Sequence, residues 1–226
     1  MTNKSCLVVF SGGQDSTTCL YWSLKKFSKV EALTFSYGQR HSIELDCAAR
    51  LTERLNVKHH IMNIEPLGIF GANSLTDLSM PVLKDSSFMN SALPNSFVPG
   101  RNLVFLTLAA SLAAGRTIDN LVTGICEADS SGYPDCRKDF VDSFQMTTRR
   151  ALGSEKFQLH TPLLNLSKAE IFRLANDLEA LESVLWDSHT CYEGKRGSEY
   201  KNPWGYGCGK CPACDLRAKG FAEYHQ

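Results

Sequence analysis

Three groups of residues carry recognisable chemistry. The first is Ser11-Gly12-Gly13-Gln14-Asp15-Ser16, directly after the apolar run at 6–10. Paired glycines permit a tight turn and let backbone N–H groups approach an anion with no Cβ in the way. A helix starting there would add its unpaired first-turn donors and the positive end of its dipole. Ser11, Ser16 and Thr17 supply hydroxyl donors. Such a loop suits phosphate. Asp15 would repel phosphate, so its sensible role is to help hold Mg²⁺. No Lys precedes a Ser or Thr in the loop, which therefore is not a Walker A motif. Its missing positive charge must come from elsewhere. Arg101 and Lys168, each just beyond an irregular stretch or a strand end, are the candidates.

The second group is Cys208, Cys211 and Cys214, with two residues between neighbours, and Cys191 upstream. Four soft thiolates suffice to close a tetrahedral zinc site, and such a site is structural, not catalytic. An iron–sulfur cluster is the alternative. Cys6, Cys19, Cys47 and Cys126 fall on predicted strands or helices and read as core. The third group follows a predicted strand at 121–126, where an open sheet binds its ligand. It holds Glu127, Asp129 and Asp135 with Tyr133 and Arg137. A solvated acidic loop is the plain alternative, and Cys136 reads as a pocket wall.

These residues need a scaffold. The run at 6–10 is apolar on both faces, as in a central parallel strand. Further strands are expected at 30–35, 57–64, 121–126 and 159–164. Helices are expected from Asp15, from Ile43 behind an N-cap Ser42, from an N-cap Asn102 to just before Gly115, and around Phe140 to Phe144. Ser167 and Glu170 form a capping box ahead of Ile171, Leu174, Ala175 and Leu178. Alternation of strand and helix implies right-handed crossovers and an α/β, doubly wound, mostly parallel sheet over 1–185. Residues 65–99 break the rhythm and read as an insertion or a lid. The tail at 186–226 shows little helical or strand pattern and is expected to fold around its metal.

The loop resembles the PP-loop of the N-type ATP pyrophosphatases, with their adenine nucleotide alpha hydrolase-like fold. Those enzymes hold the β and γ phosphates together, so attack falls on the α phosphate and AMP passes to the substrate. The stretches 10–20, 34–41, 98–110, 124–137 and 161–170, with Thr190 and the cysteine tail, are similar to the queuosine-pathway branch of that superfamily, the 7-cyano-7-deazaguanine synthases. The resemblance carries no residue role over 65–95. The resemblance extends the ATP site over Phe10, Ser11, Gly12, Gly13, Gln14, Asp15, Ser16, Thr17, Thr18, Cys19 and Leu20. It implies a ligase that uses ATP to turn 7-carboxy-7-deazaguanine and ammonia into the 7-cyano base, and it implies a homodimer. With that substrate, Glu127 or Asp129 would accept the paired donors of the base edge. Arg137 or Arg101 would hold the reacting carboxylate or the α phosphate, and Tyr37 or Tyr133 would stack on a base.

Composition narrows the alternatives. Lys plus Arg and Asp plus Glu each total 24, so the formal net charge is zero. That gives no support to bulk binding of nucleic acid or membrane. It counts against a tRNA-thiolating relative, while the loop at 11–16 counts against a zinc-folded nucleic-acid-binding module that only senses ATP. The start lacks the pattern of a signal peptide, and residues 103–114 are too few to span a bilayer. A cytoplasmic enzyme is expected, with nine cysteines that are not a disulfide framework.

Overall fold

A computed structural model describes residues 2–38, 43–64, 96–127 and 133–226. Ser42, Asp129 and most of the 65–99 insertion lie outside the described residues.

Strand β1 (Thr2–Val9) is central, and Cys6, Leu7 and Val8 are fully buried, as a run apolar on both faces requires. It leads into helix α1 (Gln14–Lys26), then β2 (Phe27–Ser36), α2 (Ile43–Arg54) and β3 (Lys58–Asn63). Helix α3 (Arg101–Gly115) and β4 (Asn120–Val122) follow, then α4 (Lys138–Leu152), β5 (Gln158–His160) and α5 (Lys168–Asp177). The five strands pair in parallel in the order β3-β2-β1-β4-β5. The chain runs outward from β1 to β3, then crosses to β4 on the other side. The crevice between the C-terminal ends of β1 and β4 is thus the switch point where such sheets bind ligand.

Alternate side chains build the two halves of the core. Leu7, Leu33 and Leu121 meet Leu106, Ala109 and Phe144 of α3 and α4 on one face. Cys6, Val8 and Val122 meet Leu20, Leu51 and Ile171 of α1, α2 and α5 on the other. Each fully buried Leu or Phe contributes about 1.5–3 kcal/mol. Cys19, Cys47 and Cys126 are buried as expected.

Three boundaries differ from the sequence reading. Strands β4 and β5 are only three residues long, shorter than 121–126 and 159–164. Ile125, Cys126, Leu163 and Leu164 stay buried without joining the ladder, so apolar runs mark burial rather than strand length. Helix α3 is preceded by Gly100 at φ 68°, with Asn102 inside its first turn and Gly115 its last residue. Asn102 is therefore not the N-cap. The capping box does hold: the Ser167 hydroxyl accepts from the Glu170 amide at 3.3 Å, and the Glu170 carboxylate accepts from the Ser167 amide at 2.8 Å.

The tail is more regular than its sequence suggests. It contains a two-stranded antiparallel ribbon, β6 (Lys201–Asn202) and β7 (Gly205–Tyr206), and a helix, α6 (Pro212–Tyr224). Phe221 and Tyr224 of α6 pack around Phe172 of α5. Gly220 lies so near α5 that any Cβ there would collide with the stem of Lys168. No described helix is long and apolar enough to cross a membrane.

Candidate active site

The loop between β1 and α1 closes on itself through its own hydroxyls. The Ser11 amide donates to Ser16 Oγ at 3.2 Å, and the Gly13 amide donates to Ser11 Oγ at 3.2 Å. Ser16 Oγ in turn donates to the Gly13 carbonyl at 3.1 Å. Gly12 sits at φ +83°, in the left-handed region, and a Cβ there would run into the Glu44 carbonyl and the Ala48 backbone of α2. Only glycine fits. Helix α1 has no side-chain cap, so the first-turn amides of Asp15 and Ser16 have no carbonyl of their own helix to meet.

A cavity of about 330 Å³ opens above this loop, at the switch point. Its floor is Ser11, Gly13, Gln14, Asp15 and Ser16, with Phe10 at the end of β1. Thr123, Gly124, Ile125 and Cys126, beyond β4, form one side. Phe35, Tyr37, Phe105, Tyr133 and Tyr192 form an aromatic side, where Phe35 and Phe105 stack at 4.3 Å between ring centroids. Arg101 and Glu44 reach into the same space, as do Asn102, Cys136 and Thr190. Both amide atoms of Gln14 and Oδ1 of Asp15 are buried with no hydrogen-bond partner among the described residues. Buried polar groups left unpaired are rare and costly, so these atoms mark a place where a polar ligand belongs.

Charge is arranged around that floor. Lys168 donates to Asp15 Oδ2 at 2.7 Å, which places the lysine beside the loop. Arg101 is the first residue of α3. Burial works against its charge, but Tyr37, Tyr192, Tyr133 and Asp135 outweigh burial and raise its pKa further. Glu44, in the first turn of α2, is pushed up to about 7 by burial, with Arg101 acting in the opposite sense. Burial also raises Tyr37, Tyr133 and Tyr192, so the aromatic wall carries neutral phenols at neutral pH.

Several sequence-derived candidates sit elsewhere. Cys19 and Leu20 face the core, and Thr17 and Thr18 are fully buried and do not line the cavity. The Thr18 hydroxyl bonds back to the Gln14 carbonyl at 3.1 Å, while Thr17 Oγ1 has no partner among the described residues. Glu127 is exposed and accepts from the Lys138 amide at 3.1 Å, at the start of α4. Arg137 is exposed and does not line the cavity. Asp135 is buried and accepts from the Asn102 amide at 3.0 Å, so it braces the start of α3 behind Arg101. Asn102 ties that turn down with a bond to the Asp135 carbonyl at 3.0 Å and one to Cys136 Sγ at 3.3 Å. Sequence reasoning missed Glu44 and Tyr192. Glu44 follows the run 34–41 that carried part of the resemblance, and Tyr192 adjoins Cys191 of the cysteine cluster, so position alone could have flagged both.

The four tail cysteines converge. Their Sγ atoms all lie within 4.8 Å of one another. Tetrahedral zinc with Zn–S near 2.3 Å would set them about 3.8 Å apart; Cys208 and Cys214 are at 3.9 Å. Backbone amides of Lys210 and Cys211 point at Cys208 Sγ at 3.4 and 3.3 Å, the donors that thiolates need. Hydrogen bonds from the Cys211 and Cys214 thiols hold Cys191 far below the usual thiol range. The set fits one tetrahedral ion better than a multi-iron cluster, whose ligand sulfurs stand farther apart.

The family described as queuosine biosynthesis protein QueC matches residues 5–225. The chain belongs to the QueC family. It is 48% identical over 98% of its length to 7-cyano-7-deazaguanine synthase of Chromobacterium violaceum, covering 91% of that protein. It is 47% identical over 99% of its length to the Bacillus subtilis protein of the same name, covering 96% of it. Among solved structures, a 4-thiouridine synthetase–RNA complex with bound ATP aligns with a TM-score of 0.53 at 15% identity, over 99% of this chain and 54% of that one. That likeness is one of fold.

Proposed function

We propose that this QueC-family chain converts 7-carboxy-7-deazaguanine, ammonia and ATP into 7-cyano-7-deazaguanine, releasing AMP and pyrophosphate. A carboxylate is a poor electrophile. Passing AMP to it creates a good leaving group, and ammonia then forms the amide. Adenylation of the amide oxygen, followed by loss of AMP, leaves the nitrile. One site that grips pyrophosphate serves both rounds.

The observation that carries this reading is the loop floor, with unpaired donors and buried orphan atoms beneath a cavity of mixed aromatic and charged walls. The loop amides and the α1 dipole hold the pyrophosphate, and Lys168 and Arg101 supply the charge the loop lacks. Arg101 lies where it could meet the α phosphate or the substrate carboxylate. Asp15 Oδ1 suits Mg²⁺, which would neutralise phosphate charge when bound. Tyr37, Phe105 or Tyr133 stack on a base. With Glu127 engaged at α4, the base-reading carboxylate is Glu44 or Asp129. The tail, 186–226, folds around a structural zinc ion, and the enzyme works in the cytoplasm as a homodimer.

The test is turnover with ATP, ammonium and 7-carboxy-7-deazaguanine, followed by separation of the nucleotides. AMP and pyrophosphate with a nitrile product are expected. ADP and phosphate in their place would sink the ATP reading. Turnover only with unrelated carboxylic acids would sink the substrate and leave the ATP reading standing.

A further inference from the structure

The segment that leads into the cysteine cluster touches the phosphate loop from behind. The His189 amide donates to the Gly12 carbonyl at 3.0 Å. The Gln14 amide donates to Thr190 Oγ1 at 3.2 Å. From the other side, Arg217 of α6 donates Nη1 to the same oxygen, also at 3.2 Å. Arg217 is 1% exposed. Its Nη2 is held by the Val184 carbonyl at 2.5 Å, and its Nε has no partner among the described residues.

A threonine hydroxyl has two acceptor sites and one hydrogen. Both acceptor sites of Thr190 are taken by these two donors. Its hydrogen must therefore be given away, and Thr190 lines the cavity above the loop. The guanidinium adds a buried positive charge one side chain behind that hydroxyl. No carboxylate bonds to it within the described residues.

We infer that Thr190 is a hydrogen-bond donor to the pyrophosphate, fixed in that role by the Gln14 amide and by Arg217. Arg217 is a positioning residue. It locks the polarity of Thr190 and places a cation behind a loop that has no lysine of its own. The cysteine tail thus completes the anion site as well as closing the fold. This inference rests on the loop being the pyrophosphate site.

Four zinc-loaded variants test it, with inorganic pyrophosphate as the probe. Thr190→Val, nearly isosteric, is expected to weaken pyrophosphate binding about tenfold, the size of one lost hydrogen bond to a charged group. Thr190→Ser is expected to stay within about twofold of the parent. Arg217→Met is expected to weaken it at least as much as Thr190→Val with one zinc still bound per chain, and Arg217→Lys less. The KM for the deazaguanine carboxylate is expected to hold in all four, which general damage to the fold would not allow. Parent-like pyrophosphate affinity in Thr190→Val overturns the inference. So does an Arg217→Met loss that merely tracks lost zinc. If Arg217→Met does not fold, the Thr190 pair decides. A parent protein that binds no pyrophosphate would sink the underlying site reading instead.

Discussion

Glu44 and Arg101 enter one cavity from different helices, and their charges depend on each other. Burial keeps the Glu44 carboxyl protonated up to about pH 7. An unfolded chain would ionise it near 4.3. Between those values the folded protein binds the extra proton, so this group favours folding below about pH 4.3, and that benefit is lost as pH rises through 7. Glu44→Gln is therefore expected to shrink the fall in melting temperature between pH 5 and pH 8. The same change should lower kcat/KM and flatten its rise across pH 7. An unchanged pH–rate profile would remove Glu44 from the chemistry. At this scale the sequence was half legible. The loop residues stood out by type and spacing, because glycines and hydroxyls in a row are what an anion-binding turn requires. Arg217 did not, because an arginine in a helix is ordinary on any surface and only burial makes it unusual. Glu44 carried only its place beside the run 34–41, since an acid in a first helical turn is equally ordinary.

Among the elements, the loop and α2 constrain each other most closely. Gly12 combines a left-handed φ with backbone contact to Glu44 and Ala48, so Gly12→Ala must move either the loop or the helix. A stability loss of about 1–3 kcal/mol is expected, measured by denaturant unfolding, with a larger fractional loss in ATP affinity. Unaltered nucleotide binding would show that the loop tolerates displacement. The elements themselves were largely readable. The capping box was visible as Ser167 and Glu170, and the apolar run of β1 gave its burial. Helix α6 was hidden because its buried face is Ala213, Cys214, Arg217 and Gly220, a helical spacing with almost no hydrophobic signal. The ends of β4 and β5 were hidden because pocket walls and strands share the same apolar residues.

Across the whole molecule, the tail and the loop between β1 and α1 are joined by direct hydrogen bonds through His189 and Thr190. If a zinc ion holds Cys191, Cys208, Cys211 and Cys214, stripping it with a chelator should loosen Thr190 and Arg217 as well as the tail. The fluorescence of Trp186 and Trp204 should change, and pyrophosphate affinity should fall in step with metal content. Full affinity in metal-free protein would separate the two regions. Linear reading marked the tail as a metal module but could not see this coupling, since Gln14 and Thr190 are remote in the chain and meet only after folding. The contact between Gly220 and Lys168 extends the same dependence. With no side chain to act as a cushion, the spacing between the last helix and the lysine that reaches Asp15 is set by bare backbone. The final turns of the polypeptide thereby work like a shim, gauging how far an ammonium group projects toward a loop laid down near the first residues of the chain.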